Sequence, residues 1–231
     1  MSTAEGKTHL IHDRRHRNGF QFVNSIFVIH LESRKDRLHQ INDVLSSLHI
    51  LKYDIIKGVP HSCGALGCSL SHAMAMNECI KSNATTCAVF EDDFELSGGP
   101  EDANGAVDIF FRSQPPSWDV LMLSANVVSS SPVAELSHLE SINWALTTSG
   151  YIVHRSFASK LLQIFMQAAY HLNESNCSKE EFAHDVLWKE LQQSGKWFAL
   201  KPLIGKQRAS YSDIERKVVD YKVKLRRLQS I

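Results

Sequence analysis

Hydrophobic and polar positions along this chain change period in a regular way. From Ser25 to Leu31 the residues form a nearly continuous apolar run, rich in β-branched side chains, which suits a strand covered on both faces. The period then lengthens. Leu38, Ile41, Leu45 and Leu48 place one apolar stripe along a helix, with Ser33 as its N-cap and Asp36 in its first turn. A second strand is predicted near Tyr53 to Ile56, followed by a glycine-containing loop from Gly58 to Gly67. Leu66, Leu70, Ala73, Met74 and Ile80 then give a helical face leading into a strand that ends at Phe90. This order of strand, helix, strand, helix, strand argues for an α/β sandwich of right-handed crossover units.

The second half continues the alternation. Trp118 to Leu123 reads as a central strand, and Ile142 to Val153, broken at Ser149-Gly150, as one or two more. The serine-rich stretch Ser129 to Pro132 between them has the composition of a loop that moves over a ligand. Arg155 to Tyr170 and Lys179 to Gln193 have helical period, and Trp197 to Leu200 is a late strand. At the end, Ile214, Val218, Tyr221, Leu225 and Leu228 predict a helix over 216–231, docked on its own domain or forming a homodimer seam. Residues 1–21 show no sustained periodicity and read as a mobile tail, which leaves 22–215 as one domain.

Composition narrows the function classes. With 25 basic and 25 acidic residues the chain lacks the electrostatic footprint of a general nucleic-acid binder. No apolar run reaches the length of about 20 residues that a membrane span needs, and the N-terminus lacks the apolar core of a secretory signal. The five cysteines, Cys63, Cys68, Cys79, Cys87 and Cys177, are odd in number, which fits free thiols in a reducing, cytoplasmic compartment. Cys63 and Cys68 have no second Cys or His pair at zinc spacing, which argues against a zinc site. Asn83-Ala84-Thr85 and Asn173-Glu174-Ser175 match the glycosylation acceptor pattern, to which a chain with no export signal gives little weight.

The chemistry concentrates where the strand Cys87 to Phe90 stops at Glu91, Asp92 and Asp93. Adjacent carboxylates repel one another unless a cation, a basic group or water screens them. In an α/β fold such a strand end holds a divalent cation beside a phosphorylated ligand; a solvated acidic turn is the plainer alternative. In an extended segment Glu91 and Asp93 point to one side and Asp92 to the other, so Asp93 is the expected ligand, with Glu91 as a second ligand or a ribose contact. Oxygen donors favour Mg2+ or Mn2+. Arg34 and Arg37 lie just past the first strand, as diphosphate or base contacts or as ordinary surface arginines. Ser71 and His72 sit near a helix start whose N–H groups can face an anion, although His72 is equally a core histidine. Ser149 and Gly150 are small enough for a sugar to approach the backbone, or mark a β-bulge. Asp185, among Phe182, Val186 and Trp188, is the expected general base through a raised pKa, or else a helix cap or acceptor contact. Asp213 completes the metal or phosphate site or opens the final helix.

Several segments, in order, resemble glycosyltransferase family 25, the lipopolysaccharide and collagen-type galactosyltransferase family. They are Ile26 to Arg37, Gly67-Cys68-Ser69-Leu70-Ser71-His72, Val89 to Asp93, Trp118 to Leu121, Ser149 to Val153, His184 to Leu187, and Pro202 to Gln207 followed by Ser212-Asp213-Ile214. The resemblance implies a GT-A-like Rossmann-type sandwich, with a mostly parallel central sheet and helices on both faces. It also implies a nucleotide-sugar donor, usually a UDP-hexose, a manganese-like cation and inversion at the anomeric carbon. Donor contacts are implied at His30, Arg34, Arg37, Ser71, His72, Glu91, Ser149, Gly150, Gln207 and Ser212, metal ligands at Asp93, Glu91 and Asp213, and the base at Asp185. His30 departs from the family, which usually carries Asn there. The expected reaction moves galactose or glucose to a hydroxyl of a saccharide or hydroxylated protein. A nucleotidyltransferase or other metal-dependent phosphoryl enzyme is the first alternative, and an inactive binding or assembly module the second.

Overall fold

The computed structural model describes residues 18–113, 115, 117–193, 196–212 and 217–219, with the backbone alone from 210 onward. After a short 3-10 turn (Gly19–Phe22) come β1 (Ser25–His30), α1 (Lys35–Ser47), β2 (Asp54–Lys57), α2 (Gly64–Lys81), β3 (Thr86–Glu91), β4 (Phe94–Leu96) and α3 (Pro100–Ser113). The chain continues through β5 (Val120–Pro132), β6 (Leu139–His154), α4 (Arg155–Glu174) and three one-turn helices, α5 (Lys179–Phe182), α6 (His184–Leu187) and α7 (Lys189–Gln192). It closes with β7 (Trp197–Leu200), β8 (Gly205–Gln207), β9 (Ser210–Ser212) and β10 (Lys217–Val219).

The central sheet has the order β2-β1-β3-β6-β5-β7. β1 is parallel to β2 and β3, and β5 to β7, while β6 is antiparallel to β3, β5 and β7, so it alone runs against the rest. The α/β sandwich expected from the sequence is therefore present. The apolar runs are continuous because successive side chains enter two different cores. Phe27, Ile29, Val89, Met122 and Tyr151 pack with Met76 of α2 and Phe157, Leu161 and Phe165 of α4. Ile26, Val28, Phe90, Leu121 and Ile152 pack with Ile41 and Leu45 of α1 and Val107 and Phe110 of α3. Full burial of a residue such as Phe90 contributes about 1.5–3 kcal/mol.

Several expectations change. α1 has Arg34 rather than Ser33 at its N-cap, with no side-chain cap. Met74, expected on the buried face of α2, is exposed. The predicted helix over 179–193 is broken because Ala183 is extended, with ψ 143°. Ser129 to Pro132 is not a loop: it pairs with Glu140 to Trp144 of β6, and a ribbon half open to water accepts serine as readily as any strand. α3, which the period reading missed, buries Ala103, Val107 and Phe110 along one stripe. Residues 217–219 form a strand against 210–212 where the sequence predicts a helix, and the remainder of that helix and its homodimer seam lie outside the described residues. Of the expected tail, Gly19–Phe22 is ordered with Phe20 buried, and residues 1–17 lie outside the described residues.

The cysteines also correct the sequence reading. Cys63 is joined to Cys177 and Cys79 to Cys87, leaving Cys68 as the free thiol. Four paired cysteines remove the argument for a reducing compartment that rested on free thiols. Among the described residues no helix is long and apolar enough to cross a membrane.

Candidate active site

β1 and β3 are in register at Ile29 and Glu91, and β3 and β6 at Phe90 and Gly150. That register brings the end of β1, the acidic end of β3 and the middle of β6 to one sheet edge. There a cavity of about 230 Å³ is lined by Arg37, Gly58, Gly67, Glu91, Asp93 and Gln207, among others. Its far wall is the loop before α2. Ser71 holds that loop, donating to Gly67 O at 2.7 Å and accepting the Val59 N–H at 2.9 Å. Gly67 allows the loop to come this close, since a Cβ there would collide with Val59 O.

The three carboxylates behave differently from an extended run. β3 ends at Glu91 and the chain turns at Asp92 and Asp93, so all three line the cavity and Asp92 does not face away. Arg37 Nη1 lies 3.1 Å from both Asp92 Oδ1 and Asp93 Oδ2. His30 Nδ1 is 2.8 Å from Asp92 Oδ2. Asp92 is thus clamped between His30 and Arg37, which order the acidic turn, and Arg37 also lines the cavity. Arg34 pairs with Asp36.

Asp93 is 3% exposed. Gln207 Nε2 donates to its Oδ2 at 3.1 Å, whereas its Oδ1 is buried with no hydrogen-bond partner among the described residues. Burial, followed by the charge of Glu91, pushes the Asp93 carboxyl up to about 7. A buried carboxylate with one oxygen unused and ionisation disfavoured fits a divalent cation, which would satisfy that oxygen and favour the charged form.

Glu91 is held from behind. Its Oε1 accepts the Thr148 hydroxyl at 2.7 Å and lies 3.3 Å from His72 Nε2. His72 Nδ1 meets Tyr151 Oη at 3.1 Å, and His184 lies between Ser69 and Thr148 at 3.0 Å from each hydroxyl. Burial pushes both imidazoles down to about 3, so they are neutral, and it raises the Glu91 carboxyl. His72 is therefore a core histidine bonded to Glu91. Thr148 had no signal in the sequence beyond lying next to Ser149, and His184, which opens the family-like segment His184 to Leu187, had no role of its own in it.

Ser149 and Gly150 do not open space for a sugar. Ser149 is buried and bonded to Ser124 Oγ at 2.7 Å, and a Cβ on Gly150 would lie 2.7 Å from the Phe94 ring. Asp185 stands in the first turn of α6, where its Oδ2 accepts the Thr147 N–H at 3.0 Å. It is not among the residues that line the cavity. The Ser212 side chain and Asp213 lie outside the described residues.

The family model of Glycosyltransferase family 25 (LPS biosynthesis protein) matches residues 58–104. This segment is similar to that family. It covers the loop before α2, α2 itself and the acidic end of β3, and it marks the chain as a glycosyltransferase. No curated protein matches the sequence. Among solved structures, A197 from STIV is similar at 14% identity and a TM-score of 0.47, over 84% of this chain and 91% of that one. A glycosyltransferase involved in the glycosylation of the major capsid of PBCV-1 is similar at 10% identity and 0.48, over 83% and 96%. Mannose-1-phosphate geranyltransferase from Thermus thermophilus follows at 9% and 0.45, over 82% and 75%. Likenesses this distant say nothing of substrate.

Proposed function

We propose that this chain is a metal-dependent inverting glycosyltransferase that moves a hexose, galactose or glucose, from a UDP-sugar to an acceptor hydroxyl on a saccharide or hydroxylated protein. The observation that carries the reading is Asp93, buried at the end of a central strand with an unused oxygen, in a cavity that Glu91 and Asp92 also line. Asp93 would hold a Mg2+ or Mn2+ ion, with Glu91 beside it, and such an ion supplies positive charge to the departing diphosphate. Arg37 and Gln207 keep the Asp93 carboxylate in place, and Arg37 adds a fixed positive charge at the cavity wall. Asp185 takes the acceptor proton as the hydroxyl oxygen bonds to the anomeric carbon; the bond from that carbon to the diphosphate breaks, and its electron pair leaves with UDP.

Asp93→Asn tests this directly. Metal-dependent turnover of a UDP-hexose should fall by orders of magnitude while the melting temperature stays close to the parent's or rises. Full turnover by the variant in metal-free buffer overturns the role of Asp93, and release of pyrophosphate from a nucleoside triphosphate by the parent replaces sugar transfer with nucleotidyl transfer.

A further inference from the structure

Behind Glu91, the free thiol Cys68 and the rings of His72 and His184 meet, with one ligand atom from each within 4.8 Å of the others. Cys68 and His72 lie four residues apart on α2, one turn of helix, and therefore share a face. His184 comes from α6, and its ring centroid is 4.9 Å from that of His72. Glu91 Oε1 lies 3.3 Å from His72 Nε2, at the edge of this cluster.

With the Glu91 carboxyl ionised, one contact in this cluster has no hydrogen. Ser69 Oγ donates to Ala65 O at 2.8 Å, so its contact with His184 Nδ1 at 3.0 Å must take its hydrogen from the ring. A ring whose one hydrogen is on Nδ1 carries none on Nε2. That nitrogen lies 3.0 Å from Thr148 Oγ1, whose single hydrogen goes to Glu91 Oε1 at 2.7 Å. A buried nitrogen lone pair is left facing an oxygen with no hydrogen to give. Ser69 does for His184 what outer partners do for metal-bound imidazoles: it fixes the tautomer and aims Nε2 inward. Tyr151 Oη occupies the outer nitrogen of His72 in the same way.

We infer that Cys68, His72 and His184 form a site for a zinc-type divalent ion, held by the Cys68 thiolate and one nitrogen of each ring, with solvent at the remaining position. Thiolate and imidazole donors select zinc or cobalt over magnesium or manganese. Closing the ligand atoms from 4.8 Å to tetrahedral separations takes a movement of about 1 Å. The ion would join α2 and α6, two elements from separate segments of the sequence. The site is distinct from Asp93 and does not depend on the reaction proposed above.

The test is cobalt titration of the chelator-stripped protein without thiol reductant, so that the two disulfides stay closed and Cys68 is the sole thiol. One equivalent of Co2+ should give the intense visible bands of a tetrahedral site together with a thiolate-to-cobalt charge-transfer band, and equimolar Zn2+ should bleach both. Cys68→Ser should abolish the charge-transfer band with the circular dichroism spectrum unchanged, and Ser69→Ala should weaken binding about 10–100-fold. Asp93→Asn should retain the band, which separates this site from the donor-side cation. A weak, octahedral-type spectrum in the parent, or a charge-transfer band that survives Cys68→Ser, overturns the inference; if Cys68→Ser fails to fold, unchanged affinity in Ser69→Ala does so.

Discussion

Asp185 accepts the backbone N–H of Thr147 at 3.0 Å, and Thr147 sits in the left-handed region at φ 80°. A β-branched residue is rarely found there, and the conformation costs on the order of 1–3 kcal/mol unless its surroundings hold it. Asn126 Nδ2 holds the other side of Thr147 by donating to its hydroxyl at 2.9 Å. The candidate base is thus tied to the segment that presents Thr148 to Glu91.

This tie separates two substitutions of Asp185. Asp185→Asn keeps an acceptor oxygen for Thr147, so donor binding by calorimetry should remain and transfer should be lost. Asp185→Ala should also lower stability by about 1–3 kcal/mol in urea. Loss of donor binding in the Asn variant would reassign Asp185 to the donor side.

Arg37 contacts two buried carboxylates with one nitrogen. Its removal in Arg37→Ala leaves them without that cation, and urea unfolding should show a loss of about 3–5 kcal/mol. A change within a few tenths of a kcal/mol would show that the acidic turn is stabilised in some other way.

The pH dependence of stability has opposing parts. His72 and His184 are held neutral, down to about 3 from an ordinary 6.5, so their contribution is present above the unfolded value and falls away below about pH 6.5. Asp93 acts in the reverse sense: raised from 3.8 to about 7, it binds a proton more tightly in the folded chain, and its contribution falls as pH rises from about 4 to about 7. In metal-free buffer, Asp93→Asn should therefore make urea midpoints climb more steeply between about pH 4 and 6.5. An unchanged slope would contradict the raised carboxyl.

Phe94 fills the space beside Gly150 and Gly205, and a Cβ on either glycine would collide with its ring. Gly150→Ala should cost about 1–3 kcal/mol by overpacking and, because Phe94 follows Asp93 directly, should reduce turnover as well. Parent-like thermal unfolding and kinetics would show that the ring can move aside at little cost.

The disulfide Cys63–Cys177 spans 114 residues. Replacing both cysteines by alanine should remove about 4–5 kcal/mol of stability on the chain-entropy estimate, and alkylation of the folded parent should label one cysteine, Cys68. Three or more labelled thiols would restore the free-thiol reading.

What the sequence made legible follows from the range of the forces involved. β1, α1, α2, β3, α4 and β7 are written in local periodicity because each packs directly on the sheet, and the acidic end of β3 stands out for the same reason. The site partners do not. The pairing of His30 and Arg37 with Asp92, and of Thr148 and His72 with Glu91, depends on strand register and on a turn at Asp92 that no periodicity encodes. Ser129 to Pro132 reads as a loop because its strand character comes from the partner strand rather than from its own side chains. Cysteine pairing across 114 residues is equally invisible to spacing.

The reversed direction of β6 has a consequence for how such an enzyme diversifies. Most α/β catalysts vary their chemistry in the connections that follow their strands, where insertions leave the scaffold undisturbed. Here Glu91 at the cavity wall is held by Thr148 of β6, a residue inside the sheet, so a change there would be transmitted to the neighbouring strands. New ligand ranges would therefore arise by altering the segment that precedes α2, which lines the cavity at Gly58 to His61, while the β6 side stayed as it is.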